Sequence, residues 1–328
     1  MGVKLEDVAR RAGLSKATVS LALNGSTRIN AQTRARLQAL AREMGYRPNP
    51  YARNLATRRS RQIGLIVPDI ENVYYASLAQ SIFNQLRTSD YGLSISVSMN
   101  SPELEHKIIR RMIENRMDAL MLAPVNTPNE HPDYLSLLDE AGMPLLFVTA
   151  DYPSAARPRV MCDLYGGMQL AMRALFERGY KRIAMLSGPE NVCCLDLRTQ
   201  GYVDFIESAG LAYRRIYHLD GVRYEDAQAF VCAQPDLDMD ALVCVNDMMA
   251  LGALNALRAR GVCVPEDMAV VGYDDVIFAT VSPVPITTVR QDVSRISREA
   301  VKHILAMAAG EPTDSCMIPC ELVRRASI

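Results

Sequence analysis

The sequence predicts two folds in one chain: an all-α headpiece over residues 1–60 and an α/β core over residues 61–328. Three observations carry this. Charge is split, with thirteen Lys/Arg and three Asp/Glu in residues 1–61, net +10, against 23 and 34 in the remainder, net −11. Apolar residues in the first segment recur at helical spacing. Beyond Arg61 they gather into short, nearly continuous β-rich runs separated by helix-length stretches, the pattern of parallel sheets covered on both faces. A chain of 328 residues has the length for several domains, each with its own core.

In the headpiece, Leu5, Val8, Ala9 and Ala12 mark one helix, Gly13-Leu14-Ser15 interrupts it, and Val19, Ala22 and Leu23 mark a second. Gly13 suits a positive φ at the first helix's end, and Ser15 suits the cap of the second. That is helix-turn-helix logic, with Lys16, Ala17, Ser20 and Leu21 on the solvent side of a helix whose first turns can enter a major groove. A third helix is capped by Asn30, turns Leu37, Leu40, Ala41 and Met44 inward, and ends at Gly45. A compact basic unit is the footprint of a polyanion binder, because clustered Lys/Arg displaces counterions condensed on phosphates. A solvated basic face would carry the same charge, and any three-helix module the same spacing.

In the core, strands are expected at 63–68, 93–99, 118–124, 144–150, 182–188, 240–246 and 268–274. The β-entries "DALMLAP" and "DALVCVN" repeat, which predicts two Rossmann-like subdomains with a cleft between them. Ligands of such sheets sit at the carboxyl ends of the strands, so Asp69, Asn246, Asp247, Asp274 and Asp275 are candidates, with Asn72, Tyr74 and Tyr75 close behind the first strand. Carboxylates and amides take sugar hydroxyls in pairs, and an aromatic ring stacks on the C–H face. Each candidate has a structural alternative: Asp274-Asp275 can close a turn, Asn246-Asp247 can cap a helix, Arg198 can be salt-bridged to a neighbour, and the "NDMMALGAL" run can be core packing.

Several function classes find no support. The N-terminus has no apolar signal region and no 18-residue apolar run occurs, so no membrane span and a cytoplasmic location are expected. The eight cysteines show no C-x-x-C pair and no His at zinc spacing, so free thiols are expected and no metal. Adjacent Cys193-Cys194, on an expected surface turn, is the pair to watch for oxidation. No nucleophile elbow or Walker loop occurs and the four histidines are scattered, so neither catalytic residues nor a cofactor are expected.

"DVARRAGLSKATVSLALNG" resembles the headpiece of the LacI/GalR repressor family, and "GYRPNPYARNLATRRSRQIGLIVPDI" (45–70) resembles its junction. The resemblance continues through "LSGP", "VCVNDMMALGAL", "PEDMAVVGYDD" and "PITTVRQD". It implies a core like a type I periplasmic binding protein. It also implies a homodimeric repressor of pseudo-palindromic double-stranded operator DNA, controlled by a small effector such as a carbohydrate. Operator contacts are implied at Leu5, Ser15, Lys16, Ala17, Thr18, Ser20, Leu21, Asn24, Arg28, Asn30, Thr33, Tyr46 and Asn49. The segment at about 49–57 would form a hinge helix in the minor groove, with Ala52 at the helix approach and Leu55 wedged into the central step. Pro50 suits a first helical turn and a leucine can unstack a step, although Leu55 could also pack as a linker leucine. Effector contacts are implied at Arg198, Asn246, Asp274 and Gln291, with Tyr74 or Tyr75 at the family's aromatic position.

The chain departs from the family pattern twice: Thr149 stands where many relatives have Asp, and there is no Trp. The expected subdomains are about 61–160 plus 291–320, and about 161–290 plus 321–328. With no apolar heptad tail after "LVRRASI", a dimer is expected rather than a four-helix tetramer. Two rival readings share the core: a solute-binding protein without DNA function, and a regulator governed by a protein partner.

Overall fold

The computed structural model describes residues 3–46, 60–125, 134–152 and 154–328. The expected hinge helix, with Asn49, Ala52 and Leu55, lies outside them. The chain forms two compact units, Met1–Ser60 and Arg61–Ile328.

Among its described residues the first unit carries three helices, α1 (Leu5–Ala12), α2 (Lys16–Leu23) and α3 (Ala31–Glu43). Gly13 ends α1 with φ +67°, a left-handed conformation that costs glycine nothing. The Ser15 hydroxyl then accepts from the Thr18 N–H at 3.1 Å and starts α2. Asn30 does the same for α3, accepting from Thr33 N–H at 2.7 Å. Val8, Ala9, Val19, Ala22, Leu37 and Ala41 form the buried centre. The small residues let three short helices approach closely, and burial of this apolar stripe holds helices too short to persist alone.

The second unit carries, among the described residues, two six-stranded sheets. Sheet one contains β1 (Gln62–Val67), β2 (Gly92–Val97), β3 (Ala119–Leu122), β4 (Leu145–Val148), β5 (Arg159–Cys162) and β11 (Cys316–Ile318), in the order β11-β5-β4-β3-β1-β2. All its pairings are parallel. Sheet two contains β6 (Ile183–Ser187), β7 (Arg215–His218), β8 (Ala241–Cys244), β9 (Ala269–Asp274), β10 (Thr287–Arg290) and β12 (Glu321–Val323), in the order β12-β10-β9-β8-β6-β7. Only β12 runs antiparallel to its neighbour.

Crossover helices link the strands: α4 (Val73–Leu86), α5 (Pro102–Glu114), α6 (Tyr134–Ala141) and α12 (Val293–Ala309) with sheet one, and α7 (Leu164–Glu177), α8 (Cys193–Ser208), α9 (Tyr224–Ala233), α10 (Asp247–Ala259) and α11 (Ile277–Val281) with sheet two. Among the described residues the chain crosses between subdomains three times: from β5 into α7, from β10 into α12, and from β11 to β12. Strands β3, β4, β6, β8 and β9 are buried along their whole length, which is why they read as unbroken apolar runs.

Two local readings need correction. "LSISVSM" forms β2, but as a half-buried edge strand rather than one covered on both faces. Cys193 and Cys194 occupy the first turn of α8, not a surface turn, and Cys194 is buried. Successive helical residues point about 100° apart, so these two thiols diverge. None of the helices among the described residues is long and apolar enough to cross a membrane.

Candidate functional site

Parallel strands bring their carboxyl ends to one side, and in this core the residues just beyond β1, β4, β8, β9 and β10 meet between the two sheets. A small nook there, with about 30 Å³ of space, is lined by Asn72, Tyr74, Tyr75, Arg198, Asn246, Asp274 and Gln291, together with Thr149 and Cys194. The amides are aimed by capping: Asn72 Oδ1 accepts from Tyr74 N–H at 3.0 Å, and Asn246 Oδ1 from Met249 N–H at 2.8 Å. A hydrogen-bonded chain spans the crevice. Tyr74 donates its hydroxyl to Gln291 Oε1 at 3.1 Å, and Gln291 Nε2 donates to Asp274 Oδ1 at 2.8 Å. Arg198 Nη2 donates to the same oxygen at 3.3 Å, and its guanidinium lies 4.2 Å above the Tyr273 ring.

Burial pushes the Asp274 carboxyl up to about 6, while Arg198 and the Gln291 amide pull it back down. Asp274 sits at φ +104° and Thr149 at φ +69°. Strain of this kind persists only where the surroundings enforce it, and a β-branched residue feels it most. Two buried polar atoms on the nook lack any hydrogen-bond partner: Thr149 Oγ1 from the first subdomain and Arg198 Nε from the second. A buried polar group without a protein partner costs about 1–3 kcal/mol, so both atoms favour a polar partner in the nook.

The other core candidates fall elsewhere. Asp69 lies in an adjoining cavity of about 440 Å³ that shares Asn72 and Val222 with the nook and adds Glu71, Asp220 and Arg223. Asp247 is consumed inside, accepting from the Val276 N–H at 2.8 Å and the Thr288 hydroxyl at 2.5 Å. Gly272 makes room for it, since a Cβ there would meet Asp247 Oδ1 at 2.2 Å. Asp275 is held by Arg290 at 2.7 Å and Arg325 at 2.5 Å. Neither Asp247 nor Asp275 lines the nook, so both are structural.

On the headpiece, Lys16, Ala17 and Leu21 are exposed and Ser20 is half-exposed on one face of α2, with Asn24 at its end. Lys16 is paired with Glu6 at 2.7 Å in open solvent, where water screens the attraction and leaves the side chain easily released. Ser15 and Asn30 are spent on caps that hold Thr18 and Thr33, and Arg28 is exposed on the turn between α2 and α3. Leu5 and Tyr46 are half-buried against the headpiece core, which makes them packing residues first.

Residues 4–49 match the family described as bacterial regulatory proteins, lacI family, and residues 172–328 match a periplasmic binding protein-like domain. The HTH-type transcriptional repressor CytR of Escherichia coli (strain K12) is 30% identical over 98% of this chain and 95% of its own length. This chain belongs to the LacI family. Its fold matches the lac repressor dimer bound to operator and the anti-inducer ONPF with a TM-score of 0.88 at 24% identity, covering 100% of this chain and 99% of that one. A CelR–cellobiose complex matches with a TM-score of 0.74 at 28% identity, covering 99% and 100%. The chain is thus a DNA-binding transcriptional regulator.

The LacI-family chain gathers seven of its ten sequence-derived crevice candidates into one nook, leaving out Asp69, Asp247 and Asp275. Thr149 was visible in the sequence only as a departure from the family pattern, and its unpartnered hydroxyl required coordinates. Cys194 lies four residues before Arg198, a spacing that puts both on one helical face, so it could have been inferred. Val222 carries no chemical signal and was missed.

Proposed function

We propose that this LacI-family regulator binds a pseudo-palindromic operator as a homodimer, and that a carbohydrate or similar polyhydroxylated effector between its core subdomains sets operator affinity. Residues 1–60 would read the half-site, with a hinge at about 49–57 and Leu55 at the centre. Residues 61–328 would bind effector and dimerise. The observation that carries the reading is the nook: a strained, buried, polar junction between two subdomains, with an unpartnered hydroxyl on one side and an unpartnered guanidinium nitrogen on the other.

The nook holds space for little more than water, whereas the adjoining 440 Å³ cavity is of ligand size. An effector would enter through the outer cavity, part the Tyr74–Gln291 contact and place hydroxyls on Arg198, Asp274 and Thr149. The cellobiose carried by the CelR complex is of the chemical class and length that such an inner and outer arrangement fits. Coupling follows if effector and operator each favour one closure state of the core. The nook reads as a binding site rather than an enzyme's, since its one carboxylate is engaged by Arg198 and Gln291. With operator DNA as target, the protein would act in the cytoplasm.

Calorimetry of the full chain with a panel of sugars and nucleosides, followed by gel shifts on operators selected from genomic fragments, tests this. One ligand that releases heat and changes operator affinity is expected. No heat from any ligand, together with operator binding that depends on a partner protein, would replace the effector by that partner.

A further inference from the structure

Two of the three chain crossings between the subdomains carry a cysteine. Cys162 is the last residue of β5, two residues before α7, and Cys320 lies between β11 and β12. Parallel pairing sets Cys162 opposite Ile318, and the Asp163 N–H donates to Ile318 O at 2.8 Å, so Cys320 follows two residues beyond that bond on the adjacent segment. That register puts the two cysteines on neighbouring segments at one end of sheet one, near enough for each thiol to shift the acidity of the other. Cys320 Sγ is also 3.5 Å from the Tyr273 hydroxyl, on the ring that carries Arg198. Gly167 leaves the space for this cluster: a Cβ there would lie 2.2 Å from the Tyr273 oxygen and 3.0 Å from Cys320 Sγ.

We propose that Cys162 and Cys320 form a reversible disulfide that pins the two subdomains at one closure angle. The roles follow from position. Cys320 is partly exposed and Cys162 fully buried, so Cys320 meets the oxidant. Its thiol is held below the ordinary range, first by the neighbouring Cys162 thiol, then by Tyr273 and the charge of Arg198, which favours the nucleophilic thiolate. The oxidant class is a low-molecular-weight disulfide. Cys320 loses its proton, attacks one sulfur and releases the first thiolate, which takes up that proton. Cys162 then attacks the Cys320 sulfur of the mixed disulfide and releases the second thiolate, which takes the Cys162 proton. The protein loses two hydrogens and two thiol groups, and one small disulfide becomes two small thiols. The new bond joins the first crossing to the third, leaving only the segment between β10 and α12 unbridged.

The full chain is treated with oxidised glutathione, and thiol count, intact mass, peptide linkage and amide exchange are measured. The expected result is loss of two of the eight free thiols, a mass lower by two hydrogens, and a peptide joining residues 162 and 320, all reversed by dithiothreitol. Amide exchange near Tyr74 and Gln291 should slow in the oxidised form. Cys162→Ser should instead trap one glutathione on Cys320, and Cys320→Ser should lose both products. A different cysteine pairing, no thiol loss, or a 162–320 link that leaves crevice exchange unchanged would each overturn the proposal. No effector is needed, so its failure leaves the reading of the crevice intact.

Discussion

The headpiece and the core place their candidate contact residues in opposite settings. On α2, Lys16, Ala17 and Leu21 are exposed and bear almost no fold, while the headpiece interior is wholly apolar. In the core, Arg198, Asp274 and Gln291 are each more than nine-tenths buried and joined in one network. Exposed candidates on the first unit such as Lys16, Ala17 and Leu21 can therefore be exchanged with little effect on the structure. Those of the second hold the core together through one buried network, and under the proposed function the same side chains would also meet the effector, so a change there is expected to alter stability and response together.

Removing a charge from the core network should test this most severely. Arg198→Ala strands the Asp274 carboxylate in the interior, at a cost of about 3–5 kcal/mol, and should abolish effector response. The double variant Arg198→Ala with Asp274→Ala should be more stable than Arg198→Ala alone, because no buried charge remains unpaired. Urea unfolding of the full chain measures both, and a double variant weaker than the single one would show that the pair is not a unit.

The same network predicts a pH response. Asp274 is raised by burial from 3.8 to about 6, so between those values the folded protein binds a proton that the unfolded chain releases. The contribution of Asp274 to stability is therefore greatest below that window, falls as pH rises through it, and is constant above. Melting temperatures of wild type should drop relative to Asp274→Asn as pH rises from about 4 to about 6. Parallel curves would mean that Asp274 titrates as an ordinary carboxylate.

On the headpiece, Leu21→Arg should leave unfolding unchanged and shift operator preference toward guanine at one symmetric pair of positions, by about 1–3 kcal/mol if a bidentate contact forms. Leucine offers no donor and can only pack on an apolar feature such as a thymine methyl. Selection from a random pool decides: identical motifs would remove residue 21 from the bases. The smallest effect should come from Ser15→Ala, which removes the α2 cap at a cost of about 1 kcal/mol in headpiece stability. The core transition should not move.

What the sequence made legible follows the same division. Helical spacing, Gly13 and the two caps defined the headpiece because each signal is local. The fully buried strands were legible for the reason that they are continuous apolar runs. Strands β5, β7, β10, β11 and β12 escaped, being three or four residues long and, unlike the equally short β3, β4 and β8, bounded by or mixed with charged or polar positions such as Arg159, Arg215, Arg290 and Glu321. Asp247 and Asp275 looked as eligible as Asp274 because all three follow strand ends. Only packing shows that two of them bind their own chain, and only packing brings Cys162 to Cys320.

The late delivery of β11 orders the making of the molecule. Residues 316–318 complete sheet one beside β5 only after the whole run from β6 to β10 has been synthesised, so a nascent chain shows β5 as a bare edge throughout that interval. Such edges are templates for unwanted pairing, and contacts this distant in sequence form slowly. During translation the first subdomain is thus the vulnerable half of the protein, and its closure awaits nearly the last strand to emerge.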